Sequence, residues 1–261
     1  LSGSRPDPSP GVPDGYRLEQ VALLPSTSDA CIERAKAGEP DGLAILAESQ
    51  TAARGSRGRS WACPAGNLYL SVLLRPRNRH EEAGAGQWAL LAGIAFIEAL
   101  SLFDAEPATL SLKWPNDVLR EGAKLGGILV DAAMTADGGA DWLVIGVGAN
   151  RATAPVIEGR RIAALRPPGE SRAPAPAVVA RAVLARIAAW RAVLAGDGFA
   201  PIRAAWLTRA HPFGTRVTIK DSLRSREGLF AGLSSRGELL LSIGSQIHTI
   251  STGDVLLGQG G

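Results

Sequence analysis

Three short segments concentrate residue types that handle anions and activated carboxylates. The first is Ala53-Arg54-Gly55-Ser56-Arg57-Gly58-Arg59-Ser60-Trp61. Glycine lets backbone amides approach an anion closely, and the arginines add neutralising charge and paired N–H donors for phosphate. Trp61 ends the segment with a flat face on which a purine ring can stack. It is not a Walker A loop, because no Gly-Lys-Ser/Thr follows Gly55 at the required spacing. The second segment is Lys113-Trp114-Pro115-Asn116-Asp117, with Lys124-Leu125-Gly126-Gly127-Ile128 close behind. A lysine at a strand edge can aim its ammonium into a pocket and hold a carboxylate against a phosphate, where two negative groups must approach. Asn116 and Asp117 can orient a hydroxyl, a metal ion or an incoming amine. Gly126-Gly127 leaves a strand bare of side chains, so that a flat ligand can lie on the backbone. The third, Gly146-Val147-Gly148-Ala149-Asn150, sits at a strand end, and taken alone is also how an ordinary strand enters a turn.

Each segment has a plainer reading. A Gly/Arg stretch can be a solvated loop, and a single lysine is most often a surface ion pair. His80, His211 and His248 are scattered without metal-ligand spacing. Cys63 has no nearby His-Asp pairing to make it a nucleophile. What weakens the plain readings is the combination, since Trp-Pro-Asn-Asp is an unusual way to build a hairpin.

The elements that must position these residues are legible from periodicity. Strands are expected at Tyr16–Leu24, Ala44–Glu48, Leu68–Leu74 and Leu110–Trp114, the last entering a turn at residues 115–117. Lys124–Ala132 and Trp142–Gly148 read as paired strands joined by a loop with an Asp-Gly-Gly turn at residues 136–140. Ser26 with Asp29 matches a capping box, predicting a helix to about Lys36. A second helix is expected over Trp88–Phe103. Residues 152–176 read as an irregular excursion, followed by helices over Val178–Leu194 and Pro201–Arg209 with Gly196-Asp197-Gly198 between them. After the linker His211-Pro212-Phe213-Gly214, strands at 217–219, 226–233, 238–242 and 246–251 suggest a small barrel of about 50 residues that must dock on the larger unit.

Composition narrows the class without naming a function. The 261 residues are 46% hydrophobic and 20% charged, ample for a packed core. No run approaches the roughly 18 apolar residues of a membrane-spanning helix, so no membrane partner is expected. Two cysteines, Cys31 and Cys63, are too few for a disulfide scaffold or a self-contained zinc site, and the default setting is cytoplasmic. The net charge of +3 lacks the dense basic stripe of a nucleic-acid binder. The basic loop therefore points to a phosphate-bearing small ligand.

In chain order, six stretches resemble the biotin protein ligase family. They are Ser26-Thr27, Glu48–Trp61, Asn67-Leu68-Tyr69-Leu70-Ser71, Lys113–Asp117, Lys124–Val130 and Ile145–Asn150. The resemblance implies an α+β fold: a mixed, largely antiparallel sheet with helices over residues 15–209, and an SH3-like barrel over 213–261, after a disordered tail at 1–14. Only about 15 residues precede the first strand, so the short form without a DNA-binding domain is expected, with no DNA partner.

The implied chemistry has two steps. Biotin and ATP, with Mg2+ accompanying the nucleotide, give biotinyl-5′-AMP, and a lysine of a carboxylase's biotin carboxyl carrier domain then takes the biotinyl group. By resemblance, Ser26, Thr27, Ser28 and Gln50 contact the ureido ring, and Arg54, Gly55 and Ser56 cover biotin and the phosphates. Arg57 and Arg59 meet phosphate and Trp61 the adenine side, with Asn150 among the adenylate contacts. Lys124 bridges the biotin carboxylate and the α-phosphate, and forms the catalytic set with Arg54 and Lys113. Asn116 and Asp117 serve phosphate, metal or acceptor amine, while Gly127, Ile128 and Gly148 form walls.

The chain departs from the family's usual Gly-Arg-Gly-Arg-x-Gly-Arg loop at Ala53 and Ser56, and has Ser28 where Asn is frequent. Loss of an arginine at Ser56 is expected to loosen the loop, so Ser56→Arg should lower the off-rate of the adenylate; an unchanged off-rate sinks that idea. The resemblance leaves monomer and homodimer both open. Two other classes stay in view. Lipoate ligases and octanoyl transferases share the catalytic fold, the latter with a cysteine nucleophile. A non-catalytic module binding nucleic acid through the basic loop would show salt-steep affinity.

Overall fold

Leu68–Leu74 has no solvent-facing position in its alternation, and a strand with two apolar faces is stable only between two covering layers. The computed structural model, which describes residues 11–135, 140–167, 172–220 and 225–257, places it near the middle of a seven-stranded sheet. The strands are β1 (Arg17–Leu24), β2 (Leu43–Gln50), β3 (Leu68–Leu74), β4 (Leu110–Lys113), β5 (Asp117–Arg120), β6 (Ala123–Met134) and β7 (Ala140–Ala149). They stand in the order β1-β2-β3-β7-β6-β5-β4, and only β1 and β2 run parallel. One face is covered by α1 (Thr27–Lys36), which closes a small core around Cys31, Leu43, Ile45, Leu73 and Val144. The other face carries α2 (Ala85–Ser101) and α3 (Pro176–Asp197) over the main core. α2 is apolar almost all round, as a helix packed on several sides must be.

After α4 (Ala200–Arg209) come β8 (Arg216–Lys220), β9 (Ser225–Leu233), β10 (Leu239–Ile243), β11 (Gln246–Ile250) and β12 (Asp254–Leu257). They form a five-stranded antiparallel sheet ordered β11-β10-β9-β8-β12. Its docking is specific. The Trp114 indole N–H donates to the Gly237 carbonyl at 3.0 Å, and Arg203 Nε donates to Leu233 O at 2.8 Å. The α+β class and the mixed, largely antiparallel sheet expected from the sequence are therefore observed.

Three expectations need correction. Residues 115–117 are not only a turn, because Asp117 opens β5, a four-residue strand paired on both sides with β4 and β6. β12 is a further strand after those expected, paired with β8 and too short to announce itself after Ser251-Thr252-Gly253. Gly196 and Asp197 do not separate the helices but lie within α3; Gly198, at φ 74°, ends it, as a residue without Cβ can. Residues 1–10 of the expected tail and 136–139 of the Asp-Gly-Gly turn lie outside the described residues.

His211, at the junction of the two sheets, is packed against Phe230 with ring centroids 4.6 Å apart. Both ring nitrogens are buried without a hydrogen-bond partner among the described residues. Burial pushes the imidazole down to about 4, with Lys113 adding to the effect and the Leu112 main chain opposing it only in part. Between pH 6.5 and 4 the unfolded chain then holds a proton that the folded one lacks, so stability rises with pH there. The His211 share of the slope is at most about 1.4 kcal/mol per pH unit. Urea titrations across pH 4–7 should show this slope in the wild type and lose that share in His211→Phe. Equal slopes would mean that the ring is solvated when charged.

Candidate active site

The first turn of α1 carries three buried hydroxyl residues, Ser26, Thr27 and Ser28. Ser26 is the N-cap, its Oγ accepting from the Asp29 N–H at 3.2 Å. The Asp29 carboxylate does not serve as the return half of a capping box; it takes Arg54 Nε at 2.8 Å, a stronger charge-assisted partner than a lone amide. Ser71, at the centre of β3, donates to Thr27 Oγ1 at 2.8 Å and shares a 3.0 Å hydrogen bond with Ser28 Oγ. Gln50 ends β2 and accepts the Thr27 N–H at 2.7 Å through Oε1. Its amide nitrogen faces the Cys63 sulfur at 3.6 Å. These hydroxyls and the Gln50 amide line one cleft of about 1100 Å³. A buried polar cluster on a cavity wall suits a neutral polar ring that exchanges hydrogen bonds with it.

The same cleft reaches across β7 and β6 to two lysines. Lys113 ends β4 and Lys124 lies on β6; both meet Asp117 at the start of β5. The Lys113 Nζ–Asp117 Oδ2 distance is 2.8 Å, and Lys124 Nζ contacts Oδ1. Burial works to raise the Asp117 carboxyl, but the ammoniums of Lys124 and Lys113 outweigh it and hold the group below its usual range. Two cations on one anion leave a net positive charge facing the cleft. Asn150 fixes the main chain around Lys124, its Nδ2 donating to Ala163 O at 3.1 Å and Lys124 O at 3.5 Å. Asn116 acts similarly for β6, donating to Ile128 O at 2.7 Å. The amide N–H groups of both asparagines thus go to main-chain carbonyls, and Asn150 Oδ1 accepts from Asn67 Nδ2 at 3.5 Å, whereas Ile128 is a buried wall.

Residues 54–60 form a tight hairpin, bridged Arg54 to Ser60, with the Gly55 N–H on Arg59 O at 2.6 Å. Arg54 is clamped between Asp29 and Asp131, 2.8 Å from each. Trp61 lies on the floor of the cleft. A Cβ on Gly148 would come within 3.1 Å of its indole, and one on Gly127 within 3.3 Å. The Lys124 ammonium stands 5.2 Å from the ring centroid. This corrects the expectation for Gly126-Gly127: the flat group lying on the bare backbone is Trp61, and only Gly127 faces it. Gly126 faces the core, where a Cβ would sit 2.9 Å from Phe96.

The cleft thus gathers Ser26, Thr27, Ser28, Gln50, Arg54, Gly55, Ser56, Arg59, Trp61, Lys113, Asn116, Asp117, Lys124, Gly127, Ile128, Gly148 and Asn150. Arg57 is not among its lining residues and reaches instead to β8 and the turn before β12. Sequence reasoning missed Ser71, whose signal is a lone hydroxyl inside an otherwise apolar strand. It also missed Pro155–Ile162 in the excursion and Asp254–Leu257 of β12, which close two further sides. Cys63 is half-buried, and burial pushes its thiol up, the wrong direction for a nucleophile.

Residues 21–150 match the biotin/lipoate A/B protein ligase family. The chain is 34% identical over 218 residues to a biotin–[acetyl-CoA-carboxylase] ligase of Paracoccus denitrificans, covering 82% of this chain and 90% of that one. It is 32% identical to the ligase of the same name from Mycobacterium tuberculosis, with 94% and 91% covered. Among solved structures, the biotin protein ligase of Aquifex aeolicus in complex with biotin and ATP is similar with a TM-score of 0.75 at 26% identity. That match covers 93% of this chain and 99% of that one.

Proposed function

The chain belongs to the biotin/lipoate A/B protein ligase family, and we propose that its cleft activates biotin with ATP and passes it to a lysine of a carboxylase carrier domain. The observation that carries this reading is one cleft with a buried hydroxyl–amide cluster at one side and two lysines at the other. A ureido ring exchanges hydrogen bonds with Ser26, Thr27, Ser28, Ser71 and Gln50. A plain acyl chain would offer that wall no polar partner and would leave its groups only the hydrogen bonds they make among themselves and to main chain, which disfavours lipoate and octanoate.

In the first step a biotin carboxylate oxygen attacks the α-phosphorus, the bond to the β-phosphate oxygen breaks, and pyrophosphate leaves. A carboxylate and a phosphate brought together between Lys124 and Lys113 would have their charge met by both ammoniums, which Asp117 sets in place beforehand. Arg54 and the 54–61 hairpin cover the mixed anhydride and keep water away. In the second step the carrier lysine's amine attacks the acyl carbon, the acyl–phosphate bond breaks, and AMP leaves. The amine's proton passes to solvent or to a phosphate oxygen.

Among the described residues no three Asp, Glu, His or Cys converge on a metal site, and Asp117 is already engaged by two lysines. The Mg2+ that accompanies ATP would supply charge neutralisation to the phosphates, with Asp117 and Asn116 among the cleft-lining residues that could share in holding it. We take residues 15–209 as the catalytic unit and 213–261 as a barrel that walls the cleft. Two unpaired cysteines fit a reducing, cytoplasmic setting. No helix among the described residues is long and apolar enough to cross a membrane.

The test is ATP–pyrophosphate exchange with biotin, octanoate and lipoate offered separately. Exchange with biotin alone supports the reading, exchange with an acyl chain moves the protein to the lipoate branch, and silence with all three removes the chemistry. In the same preparation Ser56→Arg should slow release of biotinyl-5′-AMP, because a longer cation replaces a hydroxyl that now only accepts from Arg59 at 2.9 Å. An unchanged release rate overturns this.

A further inference from the structure

The arginines of the hairpin are not directed only at the cleft. Arg59 Nη2 lies 3.0 Å from Asp254 Oδ1 and Nη1 lies 3.2 Å from Oδ2. Arg57 Nη1 stands 3.3 Å from the same carboxylate, and Arg57 also donates to Thr252 Oγ1 at 3.2 Å and to Lys220 O at 3.4 Å. Lys220 and Asp254 belong to the C-terminal sheet, and Thr252 to the turn that joins β11 to β12. Arg57 is held at φ 60°, ψ 41°, a left-handed backbone that is strained for a non-glycine residue and persists only where surrounding contacts fix it. The residue after Asp254 holds the other side of the site, since Lys113 Nζ donates to Val255 O at 3.2 Å. One short strand therefore touches both the hairpin and a lysine bound to Asp117.

We propose that Asp254 is a positioning residue: it latches the 54–61 hairpin shut across the cleft, so that the C-terminal sheet governs how long the activated acid is retained. The consequence for the adenylate rests on the biotin-ligase reading; the latch itself does not. The contact suits a latch because it is weak. Arg59 and Asp254 are each 40% exposed, so the pairs are screened by salt and can release to admit substrates.

Asp254→Asn removes the charge while keeping the shape, and Asp254→Glu is the conservative control. Two readouts are followed in the full chain: tryptic cutting after Arg57 and Arg59 without ligand, and release of preformed biotinyl-5′-AMP. Cutting after Arg120, buried in β5, reports global unfolding and should not change. The Asn variant should be cut at the hairpin about five- to tenfold faster, the scale of two exposed ion pairs. It should release the adenylate faster by a similar factor with its biotin KM near wild type, and the Glu variant should recover both. Hairpin cutting at the wild-type rate overturns the latch. Faster cutting with unchanged release overturns its role in retention, as does tighter ATP binding with unchanged release, which would make Asp254 a competitor of phosphate. If the wild type forms no adenylate yet the Asn variant is cut faster, the latch stands and the biotin-ligase reading falls.

Discussion

Lys124→Met is expected to lower biotin-dependent ATP–pyrophosphate exchange by about 10²–10³-fold, the loss that follows removal of one preorganised donor from a developing anionic centre. The ammonium is already in place. Lys124 Nζ contacts Asp117, its main chain is fixed by Asn150 and by the Ala163 N–H at 2.9 Å, and the Trp61 ring lies beside it. No reorganisation is needed when charge gathers between carboxylate and α-phosphate. Methionine keeps the stem's packing and deletes only the charge. The loss should appear in kcat with biotin KM changed little, because the hydroxyl cluster that holds the ring is untouched. Lys113 remains to hold Asp117, so the variant should still fold. A folded Lys124→Met protein that keeps more than roughly a tenth of the exchange rate would remove Lys124 from the chemical step.

Much of this site was legible before any coordinates, for identifiable reasons. Motifs that need a particular residue type at a particular place announce themselves: Lys113 and Lys124 stand on either side of β5, and the Gly/Arg hairpin has a composition that few other tasks require. Long buried strands such as Leu68–Leu74 announce themselves by lacking a polar face. What stayed hidden is of three kinds. Short strands such as β5 and β12 are four residues each, too few for alternation to be read, and their pairing comes entirely from neighbours already in place. Long-range partners such as Asp254 for Arg59, separated by 195 positions, leave no local trace. Substitution of one role for another also hides: Asp29 reads as a capping residue, but tertiary contact gives its carboxylate to Arg54. The resemblance to biotin ligases gathered the remaining residues, though it gave no hint that the amide N–H groups of Asn116 and Asn150 would go to main-chain carbonyls.

Arg191→Met should destabilise the fold by about 3–5 kcal/mol, a large share of the roughly 5–15 kcal/mol that holds a domain together. Arg191 lies on the buried stripe of α3, with Val183, Leu184, Ile187 and Leu194, where a cation survives only if fully paired. Its side chain is 5% exposed and meets Glu81 Oε2 and Asp41 Oδ1 at 2.8 Å each, with Nη2 also on Arg75 O at 2.6 Å. Burial works to lower the guanidinium, but the carboxylates of Glu81 and Asp41 outweigh it and hold it above its usual range. Glu81 is only 3% exposed and Asp41 18%, so deleting the arginine leaves Glu81 with the Arg77 N–H at 2.8 Å and, among the described residues, no cation, while Asp41 keeps Arg77 and the Arg75 N–H but loses its buried partner. A drop of about 6–20 °C in Tm follows for a chain of this size. The deficit should shrink in acid. Burial works to raise the Asp41 carboxyl, but the Arg75 N–H and the Arg191 guanidinium outweigh it and hold it below its usual range. The stability it gives the wild type is present above the unfolded carboxyl value and is lost as pH falls through the folded one. Without Arg191 the Asp41 carboxyl loses part of that depression, so the variant has less of this stability to lose. The gap between wild-type and variant melting temperatures should therefore be smaller at about pH 3 than at pH 7, while biotin KM of the folded fraction at pH 7 stays unchanged, because Arg191, Glu81 and Asp41 do not line the cleft. A deficit that is equal at both pH values would mean that lost packing around the arginine stem, and not stranded charge, sets the cost.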